Sequence, residues 1–315
     1  MENLKVGKIF KDTMSFLWFR IGVYALFFIA SIVIVSVIGG IAIGITALFN
    51  DSTGIMLIFG FIALAVVLGF IAYARKYVLY LVKAGHVAVI TEYMTTGQKP
   101  EKASLNYCRE VVKSKFAEVS IGAAADSLIE GAVRQIMRWL TKAGELLSFI
   151  PGSQMVINVV TTILSTAANY IDEAVLSYIF LKEGNSWQSA KEGIVLYAKS
   201  WKELLTTAAK SAVLVWVARI VIFVLGMFIL GGIFTAIIPG FGLFLGVIAS
   251  TIFTVAIEGA IVEPFLTISM IRSYLIAIKD KTLDSELMDK LTSVSSKFNK
   301  ISEKAIEEVN NTVSI

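Results

Sequence analysis

Residues 154–184, QMVINVVTTILSTAANYIDEAVLSYIFLKEG, decide how the chain is read. The stretch is long and apolar enough to cross a bilayer, for which about 20 residues suffice. It also carries Asn158, Thr162, Ser165, Asn169 and Asp172 at steps of four, three, four and three, with Glu173 alongside. That spacing holds the five side chains on one helical face. Hydrocarbon cannot satisfy such a face, so it must turn toward partners or water inside a bundle. The fold class this predicts is all-α, a polytopic membrane helical bundle.

Composition points the same way. Hydrophobic residues make up 57% of the 315 and the mean hydropathy is +0.78, above the roughly 45–50% apolar content of soluble domains. The 28 basic and 24 acidic residues are too balanced to suggest nucleic acid as a partner. Cys108 alone closes no internal disulfide, and His86 alone makes no metal cluster. The apolar run at 21–49 is far longer than the roughly 7–15 residues of a signal-peptide core and reads as a retained first crossing.

Outward from the central stretch, one grammar repeats. Residues 4–18 form a short basic amphipathic helix suited to a membrane surface. Residues 21–49 cross, and 55–73 cross back with helical periodicity continuing to about 93. Residues 102–116 are amphipathic again, 117–140 make a weakly hydrophobic crossing, and 154–184 return. Trp187, Ala190, Ile194, Tyr197 and Trp201 then form an apolar stripe, followed by crossings at 204–238 and 241–278. The pattern is amphipathic helix plus transmembrane hairpin, read three times at about 1–95, 101–182 and 187–279. It predicts six transmembrane helices in a membrane domain spanning 1–280.

The tail, 281–315, places Leu287, Leu291, Val294, Phe298, Ile301 and Ala305 at alternating steps of four and three. Such a seam belongs to a cytoplasmic amphipathic helix that either docks on the chain's own surface or forms a homo-oligomer with a second copy. Basic residues set the orientation. Four lie in 1–20, five in 95–116, four in 182–202 and six from 279 onward, against none in 50–54, one in 141–153 and none in 236–242. The basic side faces the cytoplasm, so both termini are expected there, and the lipid bilayer is the first expected partner.

No Walker loop, nucleophile elbow or zinc-protease motif occurs, so no catalytic residue, cofactor or metal is assigned and no enzyme is expected. The informative residues are charges within the crossings, each costing at least about 2.5 kcal/mol at the bilayer centre. Glu130 and Arg134 are spaced as an i,i+4 structural ion pair. Asp172, Glu173, Glu258 and Glu263, with Asn158, Thr162, Ser165 and Asn169, are the candidate lining of a substrate path. Pro264 beside Glu263 predicts a kink and freed carbonyls. Such a path favours a small organic cation.

Residues from about 85 to 300 resemble the C-terminal half of choline-transporter-like proteins. The likeness rests on YIDEAVLSYIFLKEGNSWQSAKEGIVLYAKSWKELL ahead of a hydrophobic hairpin, and on IKDKTLDSELMDKL after the last long crossing. It covers about two thirds of the chain. The resemblance implies import or efflux of choline or a related amine. The chain departs from that family in its length, its fewer crossings and the lack of a large cysteine-bearing external loop. Two functions stand open at this point: a transporter-like protein moving a small organic cation or amphiphile, and a non-transporting membrane scaffold acting through its amphipathic helices.

Overall fold

The computed structural model describes residues 4–48, 52–99, 103–117, 119–142, 171–238 and 240–313. Within them the chain is helical. A short helix α1 (Val6–Asp12) stops at Thr13, whose hydroxyl donates back to the Ile9 carbonyl at 2.9 Å. After it come α2 (Met14–Thr46) and α3 (Ser52–Ala74), which passes through a π-helical turn (Arg75–Leu79) into α4 (Tyr80–Thr96). Next are α5 (Leu105–Phe116), α6 (Val119–Lys142), α7 (Ile171–Leu181) and α8 (Ser186–Gly226). A second π-turn (Met227–Gly231) leads to α9 (Gly232–Ile237), and α10 (Gly242–Ile257) runs through a third (Glu258–Val262) into α11 (Glu263–Ala277). The tail forms α12 (Ser285–Val294) and α13 (Ser296–Val313).

Among the described residues four helical runs are long and apolar enough to cross a membrane: Met14–Thr46, Gly54–Thr96, Ser186–Ile237 and Gly242–Ala277. By length and composition the chain is therefore a multi-pass integral membrane protein. The six expected crossings come down to four among the described residues, and the difference lies in the middle repeat. Where 117–140 was expected to cross, α6 is amphipathic. Ala125, Ile129, Ala132, Val133 and Ile136 are buried on one face while Glu130, Arg134 and Arg138 stand on the other. A helix with a charged face of that kind packs on protein and meets water. The return crossing at 154–184 is described only from 171, as the eleven-residue α7.

The chain divides into two compact units. The first comprises 1–16, 80–214 and 264–315; the second comprises 17–79 and 215–263. The second unit carries most of the exposed apolar bulk. Along α2, Leu26, Ile29, Val33, Val37 and Ile41 are all more than half exposed, at steps of three and four. So continuous a row suits lipid, since an aqueous surface rarely tolerates one. The unit's interior is Val35, Val67, Leu245, Ile248 and Ile252, flanked by Phe28, Phe241 and Phe244. Gly246 lets two helices touch backbone to backbone: a Cβ there would lie 2.5 Å from the Gly231 Cα. Small residues serve this purpose wherever lipid supplies no hydrophobic drive between helices.

The first unit buries its apolar faces against its own helices. Ser104 caps α5 by accepting the Tyr107 N–H at 3.1 Å, and Asp284 caps α12 by accepting from Leu287 at 3.0 Å. Gly85 admits α5 against α4, because a Cβ there would meet the Cys108 sulfur at 2.4 Å. The stripe Trp187, Ala190, Ile194, Tyr197 and Trp201 is buried throughout. Its partners are protein: Trp187 meets the Phe116 ring edge-on at 6.2 Å, and the Tyr197 hydroxyl reaches the Met137 sulfur at 3.3 Å. The tail seam is buried at Leu291, Phe298, Ile301 and Ala305, and its helices pack on α6. Ser295 breaks the tail in two; its hydroxyl accepts the Phe298 N–H at 3.1 Å and donates to Gln135 Oε1 at 2.7 Å. Of the two readings of that seam, intramolecular docking is the arrangement observed.

Candidate functional site

The charges anticipated at membrane depth fall into separate clusters, each with a counter-ion. In the first unit, Lys83 Nζ lies 2.6 Å from Asp172 Oδ2 and 3.0 Å from Asp126. Asp172 is buried, 3% exposed. Its neighbour Glu173, equally buried, accepts the Thr267 hydroxyl at 2.7 Å. Glu130 and Arg134 pair at 2.5 Å, on an exposed face of α6. Exposed i,i+4 pairs contribute only about 0.3–0.5 kcal/mol. Asn158, Thr162, Ser165 and Asn169 lie outside the described residues.

In the second unit two ion pairs form. Arg219 grips Glu258 with two parallel bonds, Nε to Oε2 at 3.0 Å and Nη2 to Oε1 at 2.5 Å. The fork of the guanidinium matches the carboxylate, which makes this the strong form of the contact. Arg20, 1% exposed, donates Nη2 to Glu263 Oε2 at 2.7 Å and Nε to the Gly259 carbonyl at 2.7 Å. That carbonyl is available for a local reason. In the π-turn the Glu263 N–H bonds to Glu258, one residue further back than in an α-helix. The next N–H in the same pattern would come from Pro264, which has none. The freed carbonyl expected at Pro264 is thus present, and an arginine occupies it.

Beside these pairs the second unit has an open groove of about 410 Å³ between α8 and α10. Arg219, Glu258 and Glu263 stand at its polar end, with Phe223, Val224 and Val255 along the remainder. Thr251 and Thr254 also line it, with their hydroxyls donating to the Val247 and Ser250 carbonyls of their own helix at 2.8 and 2.7 Å. A second, almost wholly apolar cavity of about 200 Å³ lies among Val35, Gly39, Phe59, Gly60, Phe234 and Phe241.

The two units divide the candidate path residues: Asp172 and Glu173 lie in the first, Glu258 and Glu263 in the second. Reading the sequence missed Arg20 and Lys83 as partners. Both lie in stretches read for another purpose, Arg20 as part of the basic flank and Lys83 within a periodic helix. A lone cation within an otherwise apolar helix is the signal that marks each. His86 is stacked on Phe16 with ring centroids 5.1 Å apart and planes 3° from parallel, within the packed first unit. No group of three or more His, Cys, Asp or Glu side chains arranged to hold a metal occurs among the described residues. The chain matches no protein-family model, no curated protein and no solved structure.

Proposed function

We propose that this is a transporter-like membrane protein that handles a small organic cation or amphiphile, with Glu258 and Glu263 as the acidic residues of its path. The observation that carries the reading is the groove in the second unit, where a charged cluster stands at one end of a mostly apolar lining. The layout likeness to choline-transporter-like proteins points to the same substrate class.

Four crossings preserve the orientation inferred from charge. With these crossings the stretches rich in Lys and Arg at 1–20, 95–116, 182–202 and 279–315 would share one side. Both termini then face the cytoplasm. The scaffold reading loses its main support, because the amphipathic stripe at 187–201 and the tail seam are spent on packing within the first unit. The test is uptake of radiolabelled choline and of short-chain amphiphiles into proteoliposomes. The Arg219→Gln, Glu258→Gln double variant removes both charges without stranding either, and flux should fall at least about tenfold, the equivalent of one charge-assisted hydrogen bond. Unchanged flux in a correctly inserted double variant sinks the proposal.

A further inference from the structure

The groove between α8 and α10 has a shape and charge pattern that narrow the substrate class further. Its polar end holds Arg219, Glu258 and Glu263, and Arg20 pairs with Glu263 from behind. Two cations and two carboxylates, joined as contact pairs, leave this end with no net charge but present a positive and a negative pole side by side. A ligand carrying one net charge gains at one pole and is repelled at the other. A head group bearing both a phosphate and an ammonium gains at both.

The rest of the groove asks for a tail. From Glu258 back to Thr251 the wall rises about 10 Å at 1.5 Å per residue, and over that length the lining is apolar because the threonine hydroxyls are engaged by their own helix. A freely soluble cation has no use for such a wall, whereas an alkyl chain does, at about 0.8 kcal/mol for each methylene buried. Depth agrees. Arg219 stands nineteen positions before Ile238 and Glu258 sixteen after Gly242, so the cluster lies roughly 24–28 Å along the helices from the loop that joins them. The hydrocarbon core is about 30 Å thick. The polar end therefore falls near the opposite head-group boundary, and the apolar wall lies at the depth of acyl chains.

We infer that the groove binds a zwitterionic membrane amphiphile, with its phosphate at Arg219, its ammonium at Glu258 and Glu263, and its chain along Phe223, Val224 and Val255. This rests on the transporter-like reading for its purpose, but its geometry is independent of whether anything is moved. The ligand reaches the groove from the bilayer.

Native mass spectrometry of the purified full chain in detergent tests the assignment with four probes. These are lysophosphatidylethanolamine, the anionic lysophosphatidylglycerol, a cationic alkyltrimethylammonium and the tail-less glycerophosphoethanolamine. The zwitterionic lipid should bind at least about tenfold more tightly than each of the other three. Val255→Trp, which fills the wall and leaves every charge in place, should lose that binding while the protein melts at an unchanged temperature. Arg219→Gln with Glu258→Gln should bind the zwitterionic and anionic lipids equally. Equal binding of the charged lipids by the unaltered protein, equal binding of the tail-less head group, or full binding by the Val255 variant overturns the inference. If the lipid fails to bind while choline flux persists, the inference falls and the transport reading stands. If it binds and no substrate is carried, the site stands and the transport reading falls.

Discussion

Arg20 donates Nε to the carbonyl oxygen of Gly259 at 2.7 Å, 239 positions away in sequence. That bond replaces the backbone bond which the π-turn and Pro264 together remove. A wholly buried guanidinium that also neutralises Glu263 holds the first crossing against the last. Arg20→Met should remove the counter-ion of Glu263 and the donor to the Gly259 carbonyl, at about 3–5 kcal/mol. Thermal unfolding followed by size-exclusion chromatography in detergent measures it, and an unchanged melting temperature refutes the role.

Pro264→Ala tests the cause of the π-turn. The substitution restores an N–H where none existed, so Gly259 or Ala260 regains a helical donor and the turn can close to α. Arg20→Met should then cost about 1 kcal/mol less in the Pro264→Ala background than alone. Strict additivity of the two changes means that the proline is not what frees the carbonyl.

Cys108 is fully buried, and burial pushes its thiol up to about 12. Alkylation by iodoacetamide at pH 7–9 should therefore be negligible in the folded protein and rapid in denaturant. The sign of the linked stability follows. The unfolded thiol loses its proton near 9.0 while the folded one keeps it, so stability falls as pH rises from about 9 toward 12, with no effect below. The Cys108→Ser variant should lack this alkaline loss.

Gln135 accepts from the Ser295 hydroxyl at 2.7 Å and the Lys297 N–H at 3.1 Å, which fixes the break between the tail helices. Gln135→Ala should weaken docking of the tail by about 1–3 kcal/mol. Limited trypsin digestion should cut within 279–300 roughly tenfold faster or more. An unaltered digestion rate indicates that the apolar seam alone holds the tail.

Because Cys108 is shielded, introduced thiols report orientation without interference. Leu48→Cys and Glu183→Cys lie at exposed positions. An impermeant maleimide should label the first from outside intact cells and the second only after permeabilisation. Labelling of both from one side is incompatible with four crossings in the proposed orientation.

The long apolar helices were legible because their composition alone excludes water. The run from 55 to about 93 was equally legible as one helix, since periodicity passes unbroken through Arg75–Leu79. The stripe from Trp187 to Trp201 was read correctly as an apolar face, but its partner was not, because an amphipathic helix looks the same whether it lies on lipid or on protein. That ambiguity also produced the expected third crossing. The alanines and isoleucines of α6 satisfy a weak hydrophobic criterion, and only the docked tail reveals that they face protein. The ion pairs Arg20–Glu263 and Lys83–Asp172 join residues distant in sequence, and no local pattern encodes such partners. Glu130–Arg134, which is local, was legible in full.

The contact between Gly231 and Gly246 constrains how the second unit can move. Two backbones in van der Waals register have no side chain between them to swing aside, so the helices that bear them can turn about that point but cannot part without opening a void. The helix ends that carry Arg219 and Glu258 can therefore shift relative to each other only by pivoting about this contact.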